Sequence, residues 1–120
     1  MSLTKPVNDR ILEAEVAIKV MGWHLVEGTT WRDAEGKYRG MTYIWCPSIS
    51  IADAWDVVEK MATSGDYWFH LRFDGGRWSA IFLDLSDKAK FGDKMIPCTA
   101  SVAATAPEVI CRAALAALEK

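Results

Sequence analysis

The sequence is poor in cysteine, and its cysteines have no paired spacing. Cys46, Cys98 and Cys111 are an odd number, and none forms a CxxC pair. Disulfide frameworks and thiolate zinc sites use paired, regularly spaced cysteines, so neither is expected here. We interpret all three as small buried hydrophobic residues in a protein of a reducing compartment, the cytosol.

Long apolar runs and concentrated basic charge are also absent. No stretch approaches the roughly 18 apolar residues of a transmembrane helix, and residues 1–10 lack the apolar run of a signal peptide. The 14 basic and 16 acidic residues are well mixed and give a net charge of −2. Non-specific DNA or RNA binding requires a concentrated basic face, so neither nucleic acid is an expected partner. A compact site for a small anion stays open, because a few arginines suffice for it.

The composition is that of an ordinary globular protein. Hydrophobic residues make up 51% of the 120 residues and charged residues 25%. A chain of this length has room for one domain with one core. We therefore predict a single domain over residues 1–120, without internal repeats or a linker.

Three amphipathic helices are predicted from apolar period and capping residues. The first covers about residues 8–20. The second starts after Ser50 and ends at Gly65. The third starts at the N-cap residue Thr105, and Glu108 completes a capping box with it. Their predicted inward faces are Ile11, Leu12, Val16 and Val20; Ile51, Ala54, Trp55, Val58, Met61 and Ala62; and Ile110, Ala113, Ala114, Ala117 and Leu118.

Between the helices the apolar period changes to two, which predicts strands. The predicted strands cover residues 23–26, 30–32, 37–45, 67–73 and 77–85, with a weaker one around 96–102 and an exposed loop at 86–94.

Asp74-Gly75-Gly76 is the strongest hairpin signal in the chain. A Gly75-Gly76 loop pairs Asp74 with Arg77, and it fixes the register of both strands. One face then carries Tyr67, Phe69, Leu71, Phe73, Trp78, Ala80 and Phe82, and the other carries Trp68, His70, Arg72, Ser79, Ile81 and Leu83.

These elements predict the fold class. Short hairpin links favour one mainly antiparallel sheet, and both faces of the predicted hairpin carry apolar residues. Three helices that cover two such faces give an α/β (α+β) fold, a three-layer α/β/α sandwich.

Six tryptophans are a large number for a chain of this length. Trp55 and Trp78 lie on apolar stripes and are predicted to be core. Trp23, Trp31, Trp45 and Trp68 are open to two interpretations, because an indole ring packs well in a core and also stacks on a purine. We take Trp23, Trp31 and Trp68 as candidate walls of a ligand pocket.

Polar candidates accompany Trp68 on its strand. His70 and Arg72 share its predicted face, so the three could form a stacking surface with an anion partner. A half-buried, satisfied histidine is the plainer alternative. Arg112, on the last helix, is either a solvated arginine or a contact to a phosphate near a subunit junction. His24 has no partner histidine in sequence, so no metal site is predicted.

Catalytic motifs are missing from the sequence. It has no phosphate-binding glycine loop, no HExxH and no GxSxG. Cys98, His70 and Asp84 could be drawn as a nucleophile, base and orienting group, but their spacing does not single them out. We therefore expect a protein that is not an enzyme and needs no cofactor.

Three segments together resemble a known family. They are Val20-Met21-Gly22-Trp23, residues 51–61 (IADAWDVVEKM) and residues 105–115 (TAPEVICRAAL). In this order they are similar to phage ABA-sandwich domain proteins, and the likeness covers most of the chain. The resemblance implies an α/β/α layered fold, a phage or prophage origin and location in the host cytoplasm.

The resemblance also suggests a function. Small phage proteins of similar size act as sponges that counter Thoeris defence by sequestering cyclic ADP-ribose isomers, and some bind cyclic oligonucleotides. We expect a non-enzymatic protein that sequesters such a nucleotide, with no membrane partner. The alanine-rich last helix and the surplus of aromatics predict a homodimer or higher oligomer. The alternatives are a protein–protein interaction module, such as an inhibitor of a host enzyme, and a small hydrolase acting on a similar nucleotide.

Overall fold

The computed structural model describes residues 7–65, 67–84 and 100–118. Three α-helices and six strands occur within them. In chain order they are α1 (Val7–Glu15), which continues into a π-helical turn (Val16–Val20), β1 (His24–Val26), β2 (Thr30–Arg32), β3 (Tyr38–Met41), α2 (Ile51–Ser64), β4 (Tyr67–Asp74), β5 (Arg77–Asp84), β6 (Ser101–Ala103) and α3 (Ala106–Leu118).

The strands form two separate antiparallel sheets in the described part of the chain. One has the order β1-β2-β3 and the other the order β4-β5-β6. The prediction of one sheet was therefore wrong. The first three strands have only three or four residues each, and the whole of α2 separates them from β4. Each group pairs through its own local turns, and no strand pairing joins the two groups within the described residues.

The hairpin prediction is confirmed. Asp74 pairs with Arg77, Phe73 with Trp78 and Phe69 with Phe82. Gly75 and Gly76 both have positive φ, +61° and +78°, as a type I′ turn requires. The predicted inner face packs against the core through Phe69, Leu71 and Trp78, while the outer face exposes Trp68.

Two of the predicted helix caps are present. The Ser50 hydroxyl accepts a hydrogen bond from the amide of Asp53 at 3.3 Å, and the Thr105 hydroxyl accepts one from the amide of Glu108 at 3.4 Å. Each bond satisfies an amide that the first helical turn leaves without a partner. The sequence therefore placed the starts of α2 and α3 correctly.

Several predicted core residues are exposed. Trp55 is 46% exposed, Ile51 51% and Ile11 54%, and Leu118 is also exposed. The buried stripe of α2 is Ala54, Val57, Val58 and Met61, which is rotated from the predicted one. Because apolar residues cover more than one face of this helix, the period alone could not decide which face meets the core.

The helices and sheets enclose one hydrophobic cluster. α3 packs on β5 and β6, and α2 lies beside α3 and reaches the second sheet at β4. The π-turn also packs on α3, and the buried rings of Trp23, Trp31 and Trp45 belong to the same cluster. The predicted α+β layered sandwich is confirmed. The predicted loop 86–94, the thiol of Cys98 and most of the strand predicted at 96–102 lie outside the described residues.

Candidate functional site

A cleft opens between the first sheet and one side of α2. Its volume is about 400 Å³, and we call it the tryptophan cleft. The lining residues are Met21, Trp23, Arg39, Trp45, Asp56, Glu59, Lys60 and Thr63.

The helical wall follows from spacing on α2. Asp56, Glu59, Lys60 and Thr63 occur at intervals of three and four residues, so they share one face of the helix. The apolar stripe of α2 packs into the core on another side, which turns this charged face toward the opening. The wall therefore offers two carboxylates, one ammonium group and one hydroxyl.

The aromatic wall is a pair of tryptophans from separate segments. The rings of Trp23 and Trp45 lie 4.6 Å apart between centroids with a 60° angle between their planes. Gly40 lies next to Trp45 and has a φ of +127°, a backbone conformation that side-chain-bearing residues rarely adopt. The indole N–H of Trp45 donates to Asp56 Oδ2 at 3.2 Å. This bond fixes the aromatic wall against the helical wall.

Arg39 brings a second cation to the cleft from β3, and Asp33 holds it. Its Nε donates to Asp33 Oδ2 at 2.9 Å, and the other oxygen of Asp33 accepts from the amides of Glu35 and Lys37. The Lys37 amide, followed by smaller contributions from Arg39 and the Glu35 amide, keeps the pKa of Asp33 below its usual value against the opposing effect of burial. Asp33 is thus an ionised anchor that orients Arg39.

The arrangement combines two mostly buried indole rings, 9% and 6% exposed, with charges of both signs. Arg39 and Lys60 can bind phosphate or carboxylate oxygens. Asp56 and Glu59 can accept hydrogen bonds from hydroxyl or amino groups. A ligand that has a planar ring, hydroxyl groups and an anionic group would use every part of the cleft.

Comparison with known proteins identifies the family. The model of the phage ABA sandwich domain matches residues 14–115, which is most of the chain. The chain belongs to the phage ABA sandwich domain family. No curated protein and no solved structure is significantly similar to it.

The ABA sandwich places the predicted pocket residues in four different environments. Of the predicted tryptophans, only Trp23 lines the tryptophan cleft. Trp31 is 3% exposed and belongs to the core, opposite Leu25 and Gly40 in its sheet. It therefore has almost no surface to offer a ligand.

Trp68, His70 and Arg72 are together on the outer face of β4, as predicted. The Trp68 and His70 rings stack with centroids 5.4 Å apart and planes 21° apart. Arg72 donates to Asp74 Oδ2 at 2.9 Å. All three side chains are exposed, so they form part of an open surface.

Arg112 lies in a different recess of the ABA sandwich. It shares this recess with Ile11, Leu12 and Glu15, and its Nε donates to Glu108 Oε2 at 2.8 Å. Two carboxylates therefore accompany its guanidinium group. That environment favours the interpretation of Arg112 as a surface arginine within an ion pair.

Two cysteines of the ABA sandwich lie within the described residues. Cys111 is fully buried and Cys46 partly buried. Within the described residues, no group of histidine, cysteine and acidic side chains could hold a metal ion. None of the described helices is long and apolar enough to cross a membrane.

Sequence reasoning did not select Arg39, Lys60 or the two acidic residues of the cleft. For Lys60 and the two acidic residues, the only sequence signal was the polar spacing on α2, which is equally typical of a solvated helix face. The sequence left Trp45 open between a place in the core and a place in a ligand pocket. The 17 to 24 positions that separate Arg39 from the helical residues leave no local pattern, and only the fold brings them together.

Proposed function

We propose that this phage protein binds and sequesters a small anionic nucleotide in the tryptophan cleft, without transforming it. The observation that carries the proposal is the meeting of the Trp23–Trp45 pair with Arg39 and Lys60 in one opening. The exposed parts of these mostly buried rings can contact a purine, and the two cations can hold phosphate oxygens. The carboxylates of Asp56 and Glu59 suit ribose hydroxyls, which carboxylates bind in many nucleotide sites.

The ligand class fits the charge balance of the cleft. Two cations face two carboxylates, so a bare polyanion would meet both attraction and repulsion. A cyclic nucleotide such as a cyclic ADP-ribose isomer carries hydroxyl groups as well as phosphates. It can place its negative charge at Arg39 and Lys60 and its hydroxyls at the carboxylates.

Calorimetric titration with cyclic ADP-ribose isomers and cyclic oligonucleotides tests the proposal. Each charge-assisted contact contributes about 1.5–3 kcal/mol, so Arg39→Ala and Lys60→Ala should each weaken binding by about ten- to a hundredfold. Arg112→Ala is the matched control, because it removes an arginine outside the cleft. Ligand recovered intact after heating would distinguish sequestration from hydrolysis.

The sequence-based placement makes the opposite prediction. If Arg72 and Arg112 form the site, Arg72→Ala and Arg112→Ala should weaken binding while Arg39→Ala does not. If no cyclic nucleotide binds the parent protein, the proposed function is wrong.

Exposed apolar residues before α2 favour a second candidate, inhibition of a host enzyme by docking. Tyr43, Ile44 and Ile49 are 58%, 60% and 57% exposed, and exposed apolar clusters typically mark protein contacts. The Arg39→Ala/Lys60→Ala double variant separates the two candidates in host cells that carry a nucleotide-signalling defence. If the double variant still counters the defence fully, docking is supported. If the variant no longer counters the defence, sequestration is supported.

A further inference from the structure

The second sheet has an open edge at β4, one of its two eight-residue strands. In the described part of the chain, β4 pairs with β5 on one side and with no strand on the other. The strand has eight residues, and such an edge presents amides and carbonyls ready to pair.

The hairpin geometry identifies which groups face this edge. Asp74 and Arg77 close a two-residue turn as a hydrogen-bonded pair, and hydrogen-bonded pairs alternate along an antiparallel ladder. The even-numbered residues of β4 therefore bond to β5. The backbone N–H and C=O groups of Phe69, Leu71 and Phe73 point to the open edge.

The helix α2 extends over the same edge. α3 covers β5 and β6, whereas α2 approaches the second sheet at β4. Trp55 of α2 contacts Phe69 in an edge-to-face arrangement with centroids 6.1 Å apart, yet the tryptophan is 46% exposed. Ile51, one turn earlier on α2, is 51% exposed. A further strand beside β4 would lie beneath this side of α2 and would cover both side chains.

We propose that the missing strand is β4 of a second copy of this chain, paired antiparallel across a two-fold axis. The two sheets would then join into one sheet of six strands. The axis passes at His70, which places Phe69 opposite Leu71 of the partner subunit. This assembly site is separate from the tryptophan cleft, so the two proposals can fail independently.

The sequence of β4 itself supports a second copy as the occupant. The strand beneath α2 needs apolar side chains at alternate positions, and β4 has them in Tyr67, Phe69, Leu71 and Phe73. On the outer face, the same register places Trp68 opposite Arg72 of the partner subunit. An arginine beside an indole ring gives a favourable cation–π contact, and the two-fold axis makes this contact twice.

Most alanines of the last helix pack within one chain. Ala106, Ala113, Ala114 and Ala117 are buried, whereas Ala116 is exposed. The buried alanines pack α3 closely against its own sheet and helices. Self-association through this helix stays a prediction from the sequence, and our proposal places the interface at β4.

Sedimentation velocity at micromolar concentration tests the interface. The parent chain should be a dimer, and both Leu71→Pro and Trp55→Glu should be monomers. The proline removes an amide that faces the open edge, and the glutamate places a charge where the partner strand packs. Ile18→Glu is the matched control, because it changes a 54% exposed apolar residue on the π-turn and should leave the dimer intact. Circular dichroism establishes that each variant is folded.

A disulfide experiment tests the register. Residues on the axis in a non-hydrogen-bonded pair have Cα atoms about 4.5 Å apart, which suits a disulfide. Under mild oxidation, His70→Cys should form covalent dimers, whereas the parent and Ser79→Cys, which lies on β5 of the same face, should not. A folded parent that is monomeric would overturn the proposal. The open edge of β4 would then be a site for a strand of another protein. A folded Trp55→Glu variant that remains dimeric, or a His70→Cys dimer without the disulfide, would also contradict it.

Discussion

The hydroxyl of Ser48 donates a hydrogen bond to Glu13 Oε2 at 2.8 Å, across a separation of 35 residues. The amide of Ser48 also donates to this oxygen, at 3.3 Å. Glu13 is 4% exposed and Ser48 5%, so the pair joins α1 to the segment before α2 inside the protein.

Removing the hydroxyl should destabilise the fold. A hydrogen bond to a charged group contributes about 1.5–3 kcal/mol. A buried carboxylate that loses a donor keeps an unsatisfied acceptor, which destabilises the folded state. Ser48→Ala should therefore lower the free energy of unfolding by about that amount in urea titration. Ser64→Ala changes an exposed serine at the end of α2 and should have little effect. Equal stability of the two variants would contradict a role for the Glu13–Ser48 pair.

Two tryptophan substitutions should differ in their effect on stability. Trp31 is 3% exposed and Trp55 46% exposed. Trp31→Ala should lower the free energy of unfolding by about 3–5 kcal/mol, as large-to-small changes in a core do. Trp55→Ala removes less buried surface and should cost below about 2 kcal/mol. Urea denaturation of both variants at one protein concentration measures the difference, and the opposite order would place Trp55 in the core.

Asp33 should give the protein a pH-dependent source of stability. Its pKa is lowered in the folded state, so its contribution is present above the unfolded value of about 3.9 and disappears as the pH falls through the lower folded value. Asp33→Asn should therefore be less stable than the parent at neutral pH, and the gap should narrow at about pH 3. Urea titrations at the two pH values measure it. A gap that is unchanged by acid would show that ionised Asp33 does not stabilise the turn.

The second hairpin glycine should be replaceable by asparagine but not by alanine. Gly76 has a φ of +78°, and a Cβ there would meet no atom within 4 Å. Only the backbone conformation opposes a side chain, so Gly76→Ala should cost about 1–2 kcal/mol. Gly76→Asn should cost less, because asparagine tolerates this conformation. Thermal unfolding of the two variants provides the comparison, and equal melting temperatures would contradict this conformational explanation.

The features that the sequence predicted correctly depend on local chemistry. The two glycines after Asp74 determine the turn, and the turn determines the register of sixteen strand residues. Ser50 and Thr105 bond to amides three residues ahead. Each of these features needs only neighbours in the chain, so the pattern of residue types was sufficient.

The features that the sequence did not predict depend on contacts between residues that are far apart in the chain. Trp55 fits the spacing of apolar residues on α2. Packing against α3, however, turns Val57 and Met61 toward the core. Arg39 lines the cleft together with residues of α2, and its Nε bonds to Asp33. Neither relationship has a signature in the residues around these positions.

The π-helical turn at Val16–Val20 bears on how this cleft can change among related chains. The amide of Met21 bonds to the carbonyl of Val16, five residues back, and the amide of Trp23 bonds to that of Ala17. A π-turn holds one residue more than the α-helical path it replaces. A single deletion there would restore the α-helix and turn the following residues by about 100° around its axis. Trp23 would then leave the wall of the tryptophan cleft, so a chain shortened by one residue at this turn should lose the proposed ligand binding.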